Sequence, residues 1–312
     1  MPNLRPVEHP TGQQYELRHG SHRATVVEVG GALRIYAVDG LDVVDGYGAD
    51  ERCTGGRGQP LIPWPNRVAD GQYRFGASDH QLHLSEPALA NAIHGLVRWA
   101  NWTAVDQADD RVVMAHLLHP QPGYPFCLDL RLAYSLSDVG LTVAIVATNV
   151  GDSPLPFGAG AHPYLTLGTS VVDPLVLRVP GARWIRSDKR GIPTGVEPVD
   201  GTPYDFRTPR PVGDAVLDTG YGDLQRDADG TARVELATAD ASRSTTLWMG
   251  PAFDWVMLFT GDTLAPAMRR RGLAVEPMTC PPNAFRSGES LLSLEPGETF
   301  SGAWGITASK QG

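Results

Sequence analysis

The stretch LDLRLAYSLSDVGLTVAIVAT at 128–148 decides the fold. Leu128, Leu130, Leu132 and Tyr134 fall on one side of an extended chain, with Asp129 and Arg131 on the other. A period of two belongs to a strand with one face in a core. A second apolar run covers 141–148, and the intervening 136–140 closes on Gly140. The segment is therefore expected to form an antiparallel hairpin with a short loop.

Similar runs recur outward from this hairpin, at 24–29, 33–38, 112–118, 175–179, 245–249, 255–260 and 300–306. They are short, alternating or β-branched, as strands are. Helical periodicity is scarce: 87–93 and 264–271 each have room for a turn or two, and Pro266 counts against the second. Gly (35) and Pro (26) make up about a fifth of the 312 residues, against roughly an eighth in an average protein, and they are dispersed along the chain. Turns are therefore frequent. These features predict an all-β protein, a large sandwich of antiparallel sheets. No composition break divides the chain, so one domain over 1–312 is expected.

The balance of 26 Lys+Arg against 35 Asp+Glu leaves a net charge of −9. That disfavours nucleic acid and anionic membrane surfaces as partners and suits a small neutral one. The compact basic run Arg269-Arg270-Arg271 reads as a solvated loop. Cys53, Cys127 and Cys280 are odd in number and lack CxxC spacing, so neither a disulfide framework nor a zinc ribbon is indicated. The opening 1–20 has no apolar leader region, and no stretch approaches 18 apolar residues. A soluble, cytoplasmic protein is expected, acting as a monomer or homodimer.

Four short runs carry chemistry: NRVADGQYRF at 66–75, NAIHGLVRW at 91–99, GAGAHPYL at 158–165 and LAVEPMTCPPNAF at 273–285. Each sets one polar group, Arg67, His94, His162 or Glu276, among Gly, Pro and aromatic residues. His162 has small residues before it and Pro163 after, so backbone can approach a ligand closely there. Its ordinary pKa of about 6.5 suits proton donation near neutrality; read alone, it is also compatible with a plain turn histidine. Glu276 follows Leu273-Ala274-Val275 and precedes Pro277, which reads as a strand ending at a carboxylate. Such a group can take up a proton, and strand-end glutamates are also often simply solvated.

The ordered set Asn66-Arg67, His94-Gly95, His162-Pro163-Tyr164, Tyr204-Asp205-Phe206-Arg207 and Glu276-Pro277, with a closing Leu294-Glu295-Pro296-Gly297-Glu298, resembles the aldose 1-epimerases (mutarotases) over nearly the whole chain. The resemblance implies a galactose mutarotase-like supersandwich and an isomerase that interconverts the α and β anomers of a hexose without a cofactor or metal. It implies His162 as the general acid on the ring oxygen and Glu276 as the general base on the C1 hydroxyl. Arg67, His94 and, by a shorter match, Asp218 would bind the monosaccharide, with Asp223 a rival to Asp218. Tyr164 is expected to offer the sugar a stacking face, and Trp64, Trp99 and Trp304 either do the same or pack in the core. His80 and His83 lie three residues apart near Glu86 and have no clear third ligand, so they read as surface histidines.

The flanks Ile62-Pro63-Trp64-Pro65 and Leu96-Val97-Arg98-Trp99 depart from the galactose mutarotases and look like a bacterial subgroup. Alternatives follow: a sugar-6-phosphate or sulfosugar mutarotase, with Arg98 or the 269–271 run meeting the anion, or a non-catalytic sugar-binding protein. The joint presence of His162 and Glu276 argues against the last, since a binder needs no matched acid and base.

Overall fold

The computed structural model describes residues 9–310; the first eight residues, part of the stretch read as lacking an apolar leader, lie outside the described residues. The hairpin read from 128–148 is present and longer than expected. Its strands run Leu128–Ser137 and Gly140–Asn149 and pair through to Ser137 opposite Gly140, leaving Asp138-Val139 as the turn. The alternation simply continues: Leu136 and Leu141, expected in or beside the loop, face each other and are both buried. Each fully buried leucine contributes about 1.5–3 kcal/mol, which favours extending the ladder over a looser loop.

This hairpin lies within a nine-stranded sheet whose order runs Thr103–Ala108, Arg111–Leu118, the two hairpin strands, Thr299–Lys310, Arg243–Met249, Ala232–Ala237, Val176–Arg178 and Arg210–Pro211. A second sheet of eight strands carries Pro193–Pro198, Gly181–Ser187, Asp218–Leu224, Trp255–Phe259, Leu273–Met278, Gly160–Ala161 and Pro60–Leu61, with Tyr164–Leu165 also paired to Leu273–Met278. Smaller sheets complete the molecule, and the strand pairings among the described residues are antiparallel. The protein is all-β, as expected.

Leu130, Leu132, Val143, Leu247 and Ile306 from the nine-stranded sheet join Tyr221, Val256, Leu258 and Val275 from the eight-stranded sheet in one continuous apolar cluster. That shared core makes the sandwich. Trp64 and Trp304 belong to it, whereas Trp99 is exposed. The other face of the eight-stranded sheet is different. Met257 lies opposite both Gly220 and Glu276, and Phe259 opposite both Asp218 and Ala274. Directly paired residues project to the same side, so Asp218 and Glu276 share the face away from the main core. Ile185, Trp255, Met257 and Met278 form a small separate cluster there.

Two expectations are corrected. The strand does not end at Glu276: it runs Leu273–Met278, through Pro277, with all six residues buried. Pro266 does not weaken the turn at 264–271 but opens it, as the first residue of the 3-10 turn Pro266–Met268, where a missing N–H leaves nothing unpaired. The 87–93 segment likewise holds the 3-10 turn Pro87–Leu89. Among the described residues, no helix is long and apolar enough to cross a membrane.

Candidate active site

Pro277 explains how His162 reaches Glu276. Val275 N donates to Pro163 O at 3.0 Å and Thr279 N to Ala159 O at 2.9 Å, so the nitrogen of Pro277, in phase with both, faces residues 160–162 and has no hydrogen to give. The neighbouring chain is free to leave the ladder there. Between Gly160–Ala161 and Tyr164–Leu165 it does so, and His162 bonds elsewhere, donating from N to Gln59 O and accepting at O from Gly58 N. The released imidazole meets the carboxyl of Glu276, with His162 Nε2 3.3 Å from Glu276 Oε1. Gly56 backs the ring: at φ +77° it occupies the left-handed region, and a Cβ there would lie 2.8 Å from His162 Cδ2.

Both members of the pair are buried, His162 at 5% and Glu276 at 2% exposure, and His162 Nδ1 and Glu276 Oε2 have no partner. Burial raises the Glu276 carboxyl well above its ordinary value, helped by the negative Asp218 and opposed by Arg67 and Arg98. Burial and then the Arg98 guanidinium push the His162 imidazole down, to about 3. Burial thus favours the uncharged form of each partner, a pair with a single proton to share across the contact.

His94 stands edge-on to His162, ring centroids 5.3 Å apart. Its backbone sits at φ +63° and its N donates to Asn66 O, while Asn66 N donates to His94 Nδ1 at 3.2 Å. Burial, with Arg98 next, lowers its pKa well below the ordinary value. A neutral ring accepting at Nδ1 carries its proton on Nε2, so His94 is a fixed hydrogen-bond donor. Ligand atoms of His94, His162 and Glu276 all lie within 4.8 Å of one another, a spacing compatible with a metal ion. The donor set does not suit one, because Asn66 N–H holds His94 in the tautomer whose remaining nitrogen is protonated, and a metal ligand must be unprotonated.

Arg67 and Asp218 border the same space. Arg67 NH1 lies 3.5 Å from Asp218 Oδ2, and its Nε and NH2 donate to Glu86 Oε2 and Oε1 at 3.0 and 3.2 Å. Half of the Asp218 side chain meets solvent, which opens this side of the site. Asp223 lies exposed at the far end of the same strand, away from Arg67.

Tyr164 requires a correction. Its ring is 1% exposed, stacks on His162 at 5.0 Å between centroids and has the Arg57 guanidinium over it at 4.8 Å, while its hydroxyl donates to Gly55 O. It supports His162 from behind and presents no face to a sugar. The basic run is a loop in which Arg269 and Arg271 are exposed, as expected, but its charges are paired: Arg270 is drawn in to Asp173 and Asp262, and Arg271 pairs with Asp45, which also holds the buried Arg57. His83 is exposed and His80 stacks on Tyr73. Glu86, noted in the sequence only as their neighbour, is instead the partner of Arg67; nothing local in the sequence links residues 67 and 86.

An all-β sandwich that buries a histidine against a carboxyl, beside a guanidinium and a second carboxylate, offers groups able to exchange protons and hydrogen bonds with a small ligand. The aldose 1-epimerase family model matches residues 13–307. The Escherichia coli (strain K12) protein YihR, described as uncharacterized, is 34% identical over 291 residues, covering 93% of this chain and 91% of its own. Among solved structures, the GalM/aldose epimerase homologue from C. elegans superimposes with a TM-score of 0.86 at 18% identity, covering 96% of this chain and 99% of its own. The galactose 1-epimerase from Lactobacillus acidophilus NCFM does so with a TM-score of 0.80 at 20% identity, covering 95% and 94%. The chain belongs to the aldose 1-epimerase family, and it is an isomerase of that class.

Proposed function

We propose that the protein interconverts the α and β anomers of a free hexose, with His162 and Glu276 as its acid and base. The observation that carries this reading is their buried 3.3 Å contact beside Arg67, Asp218 and His94. A pair holding one proton is what anomerisation uses. Sugar hydroxyls and the Arg67 guanidinium stabilise a carboxylate at Glu276, and the shared proton then resides on His162. Glu276 takes the proton from the C1 hydroxyl while His162 Nε2–H delivers one to the ring oxygen. The bond from C1 to the ring oxygen breaks, and C1 becomes an aldehyde. Rotation about C1–C2 and the reverse transfers close the ring in the other anomer, and the single proton is again shared. His94 Nε2–H, Arg67 and Asp218 hold the hydroxyls in place throughout.

The continuous core spanning both large sheets supports one domain over the whole chain. We also propose a cytoplasmic monomer or homodimer acting on a monosaccharide; the net charge of −9 disfavours nucleic acid and anionic membrane as partners.

A second reading concerns the sugar. Arg98 is half-buried and donates from NH2 to Ile93 O; its Nε is buried without a partner, and its charge is felt by His94, His162 and Glu276. Such a cation favours a hexose carrying a phosphate or sulfonate. Polarimetry of freshly dissolved α-anomers, with the neutral, 6-phosphorylated and 6-sulfonated sugars in parallel, tests both readings. Acceleration of the neutral sugars supports the first and acceleration of the anionic sugars alone supports the second. A uniform background rate refutes both.

A further inference from the structure

Arg67 is held on two sides, by Glu86 and by Gly191. Glu86 Oε2 accepts from Arg67 Nε and from Asn91 Nδ2, both at 3.0 Å, and Glu86 Oε1 accepts from Arg67 NH2. Asn91 is fully buried and also donates from Nδ2 to Arg190 O at 2.9 Å. Arg190 returns bonds to Asn91 Oδ1, Ala90 O, Leu89 O and Asp70 Oδ1. The turn between Gly181–Ser187 and Pro193–Pro198 is thereby tied across to the 86–91 segment. That tie sets Gly191, at φ +74°, against the guanidinium: a Cβ there would fall 2.4 Å from Arg67 NH1 and 2.8 Å from Cζ.

The geometry points to Glu86 as the positioning residue of the site: with Gly191 as backstop, it occupies the Nε/NH2 edge of Arg67 and leaves the NH1 edge to the substrate. Two consequences follow. A guanidinium fork that would otherwise close on Asp218 as a two-pronged pair reaches it with NH1 alone, at 3.5 Å. Asp218 therefore keeps lone pairs free. NH1 and the Asp218 carboxylate then form a donor beside an acceptor, which is the pattern a sugar hydroxyl satisfies, since it both accepts and donates. This role rests on the anomerase reading above, while the fixing of Arg67 by Glu86 does not.

The experiment has two arms on the full-length protein. In the first, the Arg67 guanidinium signal, assigned by its loss in Arg67→Lys, is followed by nitrogen-detected NMR without sugar. Rotation about its Cζ–Nε bond is expected to be slow in wild type and fast in Glu86→Gln, which keeps the side-chain volume but offers one acceptor oxygen in place of two. In the second arm, on whichever sugar wild type turns over, Glu86→Gln is expected to raise KM about tenfold with a smaller change in kcat. In an Arg67→Ala background the same substitution is expected to add no further loss. Gly191→Ala reaches the same guanidinium from the other element and is expected to give the same KM-weighted loss. An equally restricted Arg67 signal in Glu86→Gln would overturn the proposal, as would a full additional loss in the Arg67→Ala background. If wild type anomerises no sugar, the anomerase reading fails, and the NMR arm still decides whether Glu86 fixes Arg67.

Discussion

The hairpin Leu128–Asn149 and the strand Leu273–Met278 are both interior structure, built on opposite plans. The hairpin strands alternate buried and outward residues over all ten positions of the first and the last nine of the second, carry no proline, and turn leucine, valine, isoleucine and tyrosine inward. The other strand buries all six of its residues, among them Glu276 and Pro277, beside a neighbour broken into two-residue pieces. The first plan satisfies every local preference and yields stability. The second leaves a proline in the ladder, a carboxyl out of water and an imidazole with an unpaired nitrogen, costs that a structural strand has no reason to bear. On the proposed function, stability and chemistry are thus separated between two sheets that share one core.

Substitutions at the two places sharpen that contrast. Glu276→Gln and His162→Asn are each expected to fold and to lose about 100-fold or more of the anomerisation rate, because each removes one end of the proton exchange. Leu132→Ala in the hairpin is expected to do the reverse: about 2–5 kcal/mol of stability lost in denaturant titration, with the rate per folded molecule unchanged. A hairpin variant that stays stable but slows catalysis would break the division.

Effects of about tenfold are expected one step out from the pair. Arg67→Ala and His94→Ala should weaken sugar binding and slow turnover together, read as parallel changes in KM and kcat, since they orient the ring in both ground and transition states. Gly56→Ala should slow turnover by a similar factor, because its methyl group displaces the His162 ring it would meet at 2.8 Å. Wild-type kinetics in all three would show that the walls around the pair do not set its geometry.

The smallest effect concerns stability at the site itself. Glu276 has a folded pKa raised above its ordinary 4.5, so it binds its proton more tightly in the native state than in the unfolded state. Native stability tied to it is present below pH 4.5 and is lost as pH rises through the raised value. Glu276→Gln cannot ionise. Its melting temperature should exceed wild type by about 2 °C near pH 8, and the gap should close toward pH 4. A gap that widens toward acid would reverse the sign of this assignment.

How much of this was legible follows the same division. The hairpin, the scarcity of helix and most of the longer strands were readable because burial on one face writes a period of two into the sequence. His162, Glu276, Arg67 and His94, the residues proposed as acid, base and flanking donors, were singled out in the sequence by the glycine, proline and aromatic residues around them, and their roles came from the family resemblance. What escaped was set by register between distant strands. Asp218 and Glu276 come to one face because residues 218, 259 and 274, and 220, 257 and 276, stand in rows across three strands. The bond from Glu86 to Arg67 spans a hairpin and a turn, and the two-residue strands at 60–61, 160–161 and 164–165 are too short to show any period. Tyr164 was read as a sugar platform from its place beside His162, but its hydroxyl finds Gly55 O and its ring lies under the imidazole.

The central claim is that His162 and Glu276 work as one unit holding one proton, and the pH dependence of anomer exchange tests it most directly. Saturation-transfer NMR on the preferred sugar, from about pH 2.5 to about pH 10, should give a bell for wild type. The acid limb should fall below the ordinary histidine value of 6.5, where the pair takes a second proton, and the alkaline limb above the ordinary carboxylate range, where it loses its only one. Glu276→Gln should leave a low rate with no such bell. A Glu276→Gln variant that keeps the wild-type bell and its height would contradict the account.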